Sequence, residues 1–134
     1  MQNAVENLNL GATASFTVPS KAQKYDEASD ALSNQFKDVD FKSLREIKFS
    51  ENSYGTGACQ WIADNVLQNA VNLEKVDFSD MFTARLRSDL PNSLAILMGK
   101  LDINKIVDLN LSHNAFGPDG VKSFQKFLRE AKNL

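Results

Sequence analysis

The fold of this chain is decided by the stretch Ile106–Gly117, which reads IVDLNLSHNAFG. Its apolar side chains have the spacing of a short strand with one buried face: Ile106, Leu109 and Leu111. Asn114 and Gly117 suit a turn, because an asparagine side chain hydrogen-bonds to nearby backbone groups and glycine tolerates unusual backbone angles. We therefore predict a strand that ends in a sharp turn.

The same frame occurs twice upstream with a period of about 30 residues, since its first apolar positions are Leu44, Leu73 and Ile106. Asn52 occupies the turn position of the first copy, and each copy is followed by apolar residues at helical spacing. A strand, a turn and a helix in a unit of this length are typical of leucine-rich repeats. We predict an α/β leucine-rich-repeat solenoid of the ribonuclease-inhibitor-like kind, with parallel strands on the inner face and helices outside.

Three segments are expected to lie side by side as parallel strands, because helical crossovers join parallel neighbours: Leu44–Phe49, Leu73–Phe78 and Ile106–Leu111. Residues 1–43 are interpreted as an N-terminal capping region with one helix, which runs from Lys21 to Phe36 and has Ser20 as its N-cap. Residues 44–134 contain about three repeats. Leu134 falls where a further repeat would open, so we expect the chain to be truncated there.

Composition narrows the class of protein. The 134 residues are 43% hydrophobic and 24% charged, which suits one small globular domain or a short run of repeats. A net charge of −2 gives no reason to expect a basic face for nucleic acid. No apolar run approaches the roughly 18 residues of a membrane span. The single cysteine, Cys59, cannot form a disulfide within the chain, which favours a soluble protein of the cytoplasm.

The second unit departs from the repeat. Met81 stands where the turn asparagine is expected, and the basic segment Phe82–Asp89 follows before Pro91 permits a new helix. A loop of this kind can vary while a regular scaffold holds it in place. We therefore expect function to reside in this loop.

Two segments, Phe78–Arg87 and Leu109–Gly120, resemble the Ran GTPase-activating proteins. Phe78–Arg87, FSDMFTARLR, is similar to that family's F-S-D-x-F-T-G-R signature, and Leu109–Gly120, LNLSHNAFGPDG, is similar to its next repeat. Ala84 replaces the family's usual glycine and His113 its usual aspartate.

The resemblance implies a protein that binds the small GTPase Ran in its GTP form and stimulates GTP hydrolysis in nucleocytoplasmic transport. Such a protein is a regulator rather than an enzyme, has no small-molecule substrate and needs no cofactor beyond Ran's nucleotide and Mg²⁺. The family is understood to orient Ran's own glutamine through an asparagine in the repeat beyond Leu134, so we expect this chain to be weak or inactive by itself. A cytoplasmic location is implied, with attachment to the nuclear envelope left open.

Three loop residues are candidates for contacting Ran on the strength of this resemblance: Arg85, Arg87 and Asp80. The alternatives are a solvated charge for either arginine and a purely structural turn contact for Asp80. Asn52, Asn114 and Gly117 are interpreted as turn residues. No spacing is typical of a metal site, a phosphate-binding loop or a catalytic nucleophile, so we expect no catalytic residue and no metal.

A different class of function stays open, namely a non-catalytic leucine-rich-repeat module that binds another protein. The loop Phe78–Arg87 favours the activator, since a generic scaffold has no reason to carry it. For stability, we expect Leu111→Ala to cost about 2–5 kcal/mol if its side chain is fully buried, and Arg85→Ala to cost little because a loop arginine should be exposed.

Overall fold

Four short parallel strands form the main sheet of this protein. The computed structural model describes residues 15–114, apart from the side chain of Arg87. These residues contain six strands: β1 Ser15–Thr17, β2 Lys24–Tyr25, β3 Glu46–Lys48, β4 Ser53–Tyr54, β5 Lys75–Asp77 and β6 Asp108–Asn110. Strands β2 and β4 form a separate two-stranded sheet. The α-helices are α1 Asp30–Ser33, α2 Thr56–Ile62 and α3 Leu90–Met98.

The main sheet has the order β1-β3-β5-β6, with every neighbouring pair parallel. One apolar residue per strand stands in register across it: Phe16, Ile47, Val76 and Leu109. The α/β class and the parallel arrangement of the three predicted strands are confirmed. The physical reason is connectivity, because helical segments return the chain to the same end of the sheet before each new strand.

The N-terminal region differs from its prediction. The helix expected from Lys21 to Phe36 is wrong: Tyr25 lies in β2, which pairs with β4, and its ring stacks on Tyr54 with centroids 5.7 Å apart. Helix α1 begins later, with Ser29 as its N-cap, and a 3₁₀ turn continues it to Phe36. Tyr25 has helical spacing relative to later apolar residues, but pairing with a distant strand determines its conformation.

The core lies between the main sheet and the helices. On α2 and the π-helical turn Ala63–Leu67 that continues it, the apolar stripe Ala58, Ile62 and Val66 is fully buried. The apolar face of α3 is also buried: Leu94, Leu97, Met98 and the following Leu101. Aromatic rings pack between successive units. The ring centroid of Phe49 lies 6.1 Å from that of Phe36 and 5.8 Å from that of Phe78. The sheet and both longer helices therefore share one apolar core.

Each strand of the main sheet leads into a turn that contains a residue with positive φ. The residues Ala22, Glu51, Asp80 and His113 occupy equivalent turn positions, and all have positive φ. Backbone hydrogen bonds join neighbouring turns, since Ala22 N donates to Glu51 O at 2.8 Å and Glu51 N donates to Asp80 O at 3.0 Å. The turn geometry thus recurs even though the residue types do not, because the hydrogen bonds between neighbouring turns constrain it.

Asparagine side chains cross-link these turns. Asn52 Nδ2 donates to Ser20 O at 2.8 Å, and Asn114 Nδ2 donates to Phe78 O at 2.8 Å. Met81 holds the equivalent place between them, where no side-chain amide is available. The carbonyl that such an amide would reach, Phe49 O, instead accepts from the buried Tyr54 hydroxyl at 3.0 Å. Gly117, the third predicted turn residue, lies outside the described residues.

Leu111 is half-buried, whereas Phe78 at the equivalent place in the preceding strand–turn segment has 0% exposure. We therefore expect Phe78→Ala to lower the free energy of unfolding by about 3–5 kcal/mol, because it leaves a cavity among packed rings. Leu111→Ala should cost less, since part of that side chain already contacts water. Urea or thermal melts of both variants measure the difference, and a larger loss for Leu111→Ala would show that the core is placed wrongly.

Candidate functional site

The loop that follows β5 is held by hydrogen bonds from its own polar residues. Asp77 accepts from the backbone N–H of Ser79 at 2.8 Å, which starts the turn. Asp80 then adopts φ 46° and accepts from the Thr83 hydroxyl at 3.0 Å. Thr83 O in turn accepts from the Ser53 hydroxyl of β4 at 2.6 Å. The loop is therefore fixed both internally and against the neighbouring unit.

The guanidinium of Arg85 is turned back into the protein. Its Nε donates to the Ser53 hydroxyl at 2.9 Å, and its Nη2 donates to the carbonyl oxygens of Tyr25 and Ser53, both at 3.1 Å. Its Nη1 forms an ion pair with Asp26. Only 13% of the Arg85 side chain is exposed, so the expectation of a solvated loop arginine is wrong. Arg85 joins its loop to both β4 and the end of β2.

This close approach depends on a small residue beside it. A Cβ added to Gly55 would lie 2.8 Å from Asp26 O and 3.0 Å from Arg85 Nη1. Gly55 N donates to Tyr25 O at 2.7 Å, which holds the backbones together. A side chain at position 55 would clash with the backbone of Asp26 and crowd the Arg85 head. Glycine is thus required here chiefly by the close approach of the Asp26 carbonyl oxygen.

Charge reinforces the same contact. The hydrogen bond from Arg85 and, less strongly, its positive charge hold the pKa of Asp26 below its usual value of 3.8. The Asp26 side chain is 65% exposed, so it stays open to solvent while it accepts from the arginine. The pair is therefore asymmetric, with a largely buried cation and an exposed anion.

The candidate residues do not form one cluster. Asp80 and Asn52 line a groove of about 390 Å³ along the turns. Arg85 lines a separate cleft of about 250 Å³ together with Asp26 and residues at the start of α3. Arg87 begins the 3₁₀ turn Arg87–Asp89, and Asn114 lies one turn further along the sheet.

Sequence reasoning missed the residues that hold Arg85. Asp26, Tyr25 and Ser53 belong to other units, and no local pattern around position 85 points to them. A signal was present in the repeat itself, because Tyr25 and Tyr54 lie about one period apart and both end a two-residue strand. Alignment of those two segments would have predicted that β2 pairs with β4.

Covalent chemistry by the Cys59 thiol is disfavoured by its surroundings. Burial raises the pKa of its thiol to about 12, so the thiolate needed for reaction does not form at neutral pH.

Within residues 15–114, no three acidic, histidine or cysteine side chains are grouped as metal ligands. Among the same residues, none of the helices has the length and apolar composition needed to cross a bilayer.

Arg85→Ala should destabilise the fold by about 2–3 kcal/mol, because it removes charged hydrogen bonds and leaves the carbonyl oxygens of Tyr25 and Ser53 without that donor. The matched control is Arg45→Ala. Arg45 makes a single exposed ion pair with Glu74 at 2.8 Å, and such pairs contribute about 0–1 kcal/mol. Chemical denaturation compares the two, and equal losses would contradict the assigned role of Arg85.

Stability should also depend on the ionisation of Asp26. Because its folded pKa is lowered, the ionised carboxylate stabilises the fold above its ordinary value of 3.8, and this contribution is lost as pH falls through the lower folded value. Asp26→Asn should therefore reduce Tm near neutral pH and converge with the wild type in strong acid. Thermal melts across this range check the prediction, and a gap that persists unchanged at low pH would refute it.

Comparison with known proteins identifies relatives over most of the chain. No family model matches it. Ran GTPase-activating protein 1 of Xenopus laevis is 36% identical over 111 residues, which cover 81% of this chain and 19% of the relative. Ran GTPase-activating protein 2 of Caenorhabditis elegans is 34% identical over 95 residues, covering 69% of this chain and 10% of the relative.

A yeast relative extends the comparison. Ran GTPase-activating protein 1 of Saccharomyces cerevisiae is 26% identical over 123 residues, covering 89% of this chain and 30% of the relative. The chain thus spans less than a third of the length of these three relatives. Over most of its own length it is a relative of the Ran GTPase-activating proteins, and the resemblance to this family inferred from the sequence is confirmed.

Proposed function

We propose that this chain is the leucine-rich-repeat part of a Ran GTPase activator, which binds Ran in its GTP form and stimulates hydrolysis of the bound nucleotide. The observation that carries the proposal is the loop Phe78–Arg87. It resembles the activators' signature, and Arg85 anchors it to two other units, at Ser53 and at Tyr25. A loop held this firmly suits the presentation of fixed contacts to a partner.

A solenoid of leucine-rich repeats is supported by the recurrence of strand and turn. Strands recur in one parallel sheet, and the turns after them share positive φ at an equivalent position. Within the described residues, α2 and α3 follow successive turns and pack against each other, with the hydroxyls of Thr56 and Ser93 2.9 Å apart. We propose residues 1–43 as a capping region and residues 44–134 as the repeats, with positions beyond 114 outside the described residues.

Activation of this kind needs no reacting group from the activator. In GTPases the nucleotide, its Mg²⁺ and a water-positioning glutamine belong to the GTPase, so an activator can act by orienting what is already present. This fits a regulator rather than an enzyme. The proposed setting is nucleocytoplasmic transport, with the protein in the cytoplasm or attached at the nuclear envelope.

The proposed Ran-binding set keeps Asp80 and Arg87 as candidates for direct contact and gives Arg85 a changed role. The guanidinium of Arg85 is occupied by Ser53, Tyr25 and Asp26. An arginine that left these partners to insert into a GTPase site would forfeit four charged hydrogen bonds. Arg85 therefore contributes to Ran binding through the shape of its loop.

Binding and hydrolysis measurements with purified Ran test the proposal. We expect the chain to bind Ran·GTP more tightly than Ran·GDP by about tenfold or more, a difference of about 1.4 kcal/mol. Single-turnover hydrolysis, run beside the full-length Xenopus laevis relative as the positive control, should show a smaller acceleration by this chain. Failure to bind Ran·GTP would overturn the proposal, and equal binding of both nucleotide forms would favour a non-catalytic protein-binding module.

A further inference from the structure

The loop after β5 exposes one large apolar side chain. Leu86 is 69% exposed, more than the other exposed large hydrophobic residues within residues 15–114, which are Val71 at 53% and Val107 at 43%. Its neighbour Arg85 has only 13% of its side chain exposed. The loop therefore turns two consecutive side chains in opposite ways, with the charged one inward and the apolar one toward solvent. This reverses the usual preference of the two residue types.

Backbone contacts on both sides fix the position of Leu86. Arg85 N donates to Phe82 O at 3.2 Å, and Asp89 N donates to Leu86 O at 3.0 Å. Phe82, which opens the segment, is 5% exposed and packs in the core. The carbonyl of Thr83 is held by the Ser53 hydroxyl. Leu86 thus projects from a loop that is anchored before and after it.

The loop maintains this shape at a local cost. Ala84 has φ 62°, in the left-handed region that a residue with a Cβ enters at about 1–2 kcal/mol. Such a conformation persists only where the surroundings determine it, and here the surroundings are the contacts of Thr83 and Arg85. A single exposed leucine is ordinary on a protein surface. A leucine held outward by a strained and multiply anchored loop is suited to recognition, because little conformational freedom is left to lose on binding.

We propose that Leu86 is an apolar contact of this chain with its GTPase partner, and that Arg85 is a positioning residue that acts through Leu86. The inference rests on the proposed function, because the partner it names is Ran·GTP. It adds burial of an apolar side chain to the contacts proposed for Asp80 and Arg87, and it leaves the Arg85 side chain within the protein.

A comparison of Leu86→Ala with Val71→Ala tests the contact. Val71 is a matched control, since it is an exposed aliphatic residue that precedes β5 and so lies at the opposite end of that strand from the loop. Calorimetric titration with Ran·GTP should show affinity weakened by about tenfold or more for Leu86→Ala, against a change of less than about twofold for Val71→Ala. Both variants should melt at the wild-type temperature, because neither side chain belongs to the core. Wild-type affinity in Leu86→Ala would overturn the proposal.

A double-mutant cycle tests the positioning role, measured at a temperature where circular dichroism shows every variant to be folded. If Arg85 acts through Leu86, the variant that combines Arg85→Ala with Leu86→Ala should lose little more affinity than Leu86→Ala alone. Hydrogen exchange of the amide of Arg85, which donates to Phe82 O, should rise in Arg85→Ala, and Arg85→Lys should restore it in part. Fully additive losses of affinity would overturn this role and indicate direct contact between Arg85 and Ran. Absence of Ran·GTP binding by the wild type would overturn the proposed function itself and, with it, the proposed contact of Leu86.

Discussion

The attachment of the Arg85 guanidinium to β2 and β4 is the constraint on which the candidate site depends. One side chain satisfies carbonyl oxygens at Tyr25 and Ser53, the hydroxyl of Ser53 and the carboxylate of Asp26. Glycine is needed at position 55 because a Cβ there would lie too close to the carbonyl oxygen of Asp26 and to the arginine head. The loop after β5 can then take a conformation that a free segment of the same sequence would not hold, since many charge-assisted bonds oppose its strain.

Regularity in this chain comes from backbone geometry more than from residue identity. The positive-φ position is occupied by alanine, glutamate, aspartate and histidine in turn, although none of these residues prefers that region as glycine does. Hydrogen bonds to the neighbouring turn determine the angle. Where Met81 removes the asparagine, the Tyr54 hydroxyl reaches the same kind of carbonyl from another direction. A repeat can therefore lose its signature residue and still satisfy its buried polar groups.

Features that depend on local periodicity could be predicted from the sequence, and features that depend on distant partners could not. The three parallel strands and the stripes of α2 and α3 follow from the spacing of apolar residues over a few turns. The helix predicted from Lys21 fails because Tyr25 pairs with a strand about one repeat away. The sequence pattern singled out the loop of Arg85 as a departure from the repeat. The burial of the Arg85 side chain was not foreseen, because its hydrogen-bond partners lie 32 to 60 residues earlier in the chain.

Asp26 and Arg85 are 59 positions apart, so their contact couples the folding of the first unit to the shape of a loop two units later. Linkage makes such coupling reciprocal. A partner that binds only the ordered loop also stabilises the distant β2 segment, and a ligand or modification that loosens β2 weakens the hold on that partner. Substitutions in the N-terminal unit are therefore expected to alter recognition at the loop through the Asp26–Arg85 ion pair.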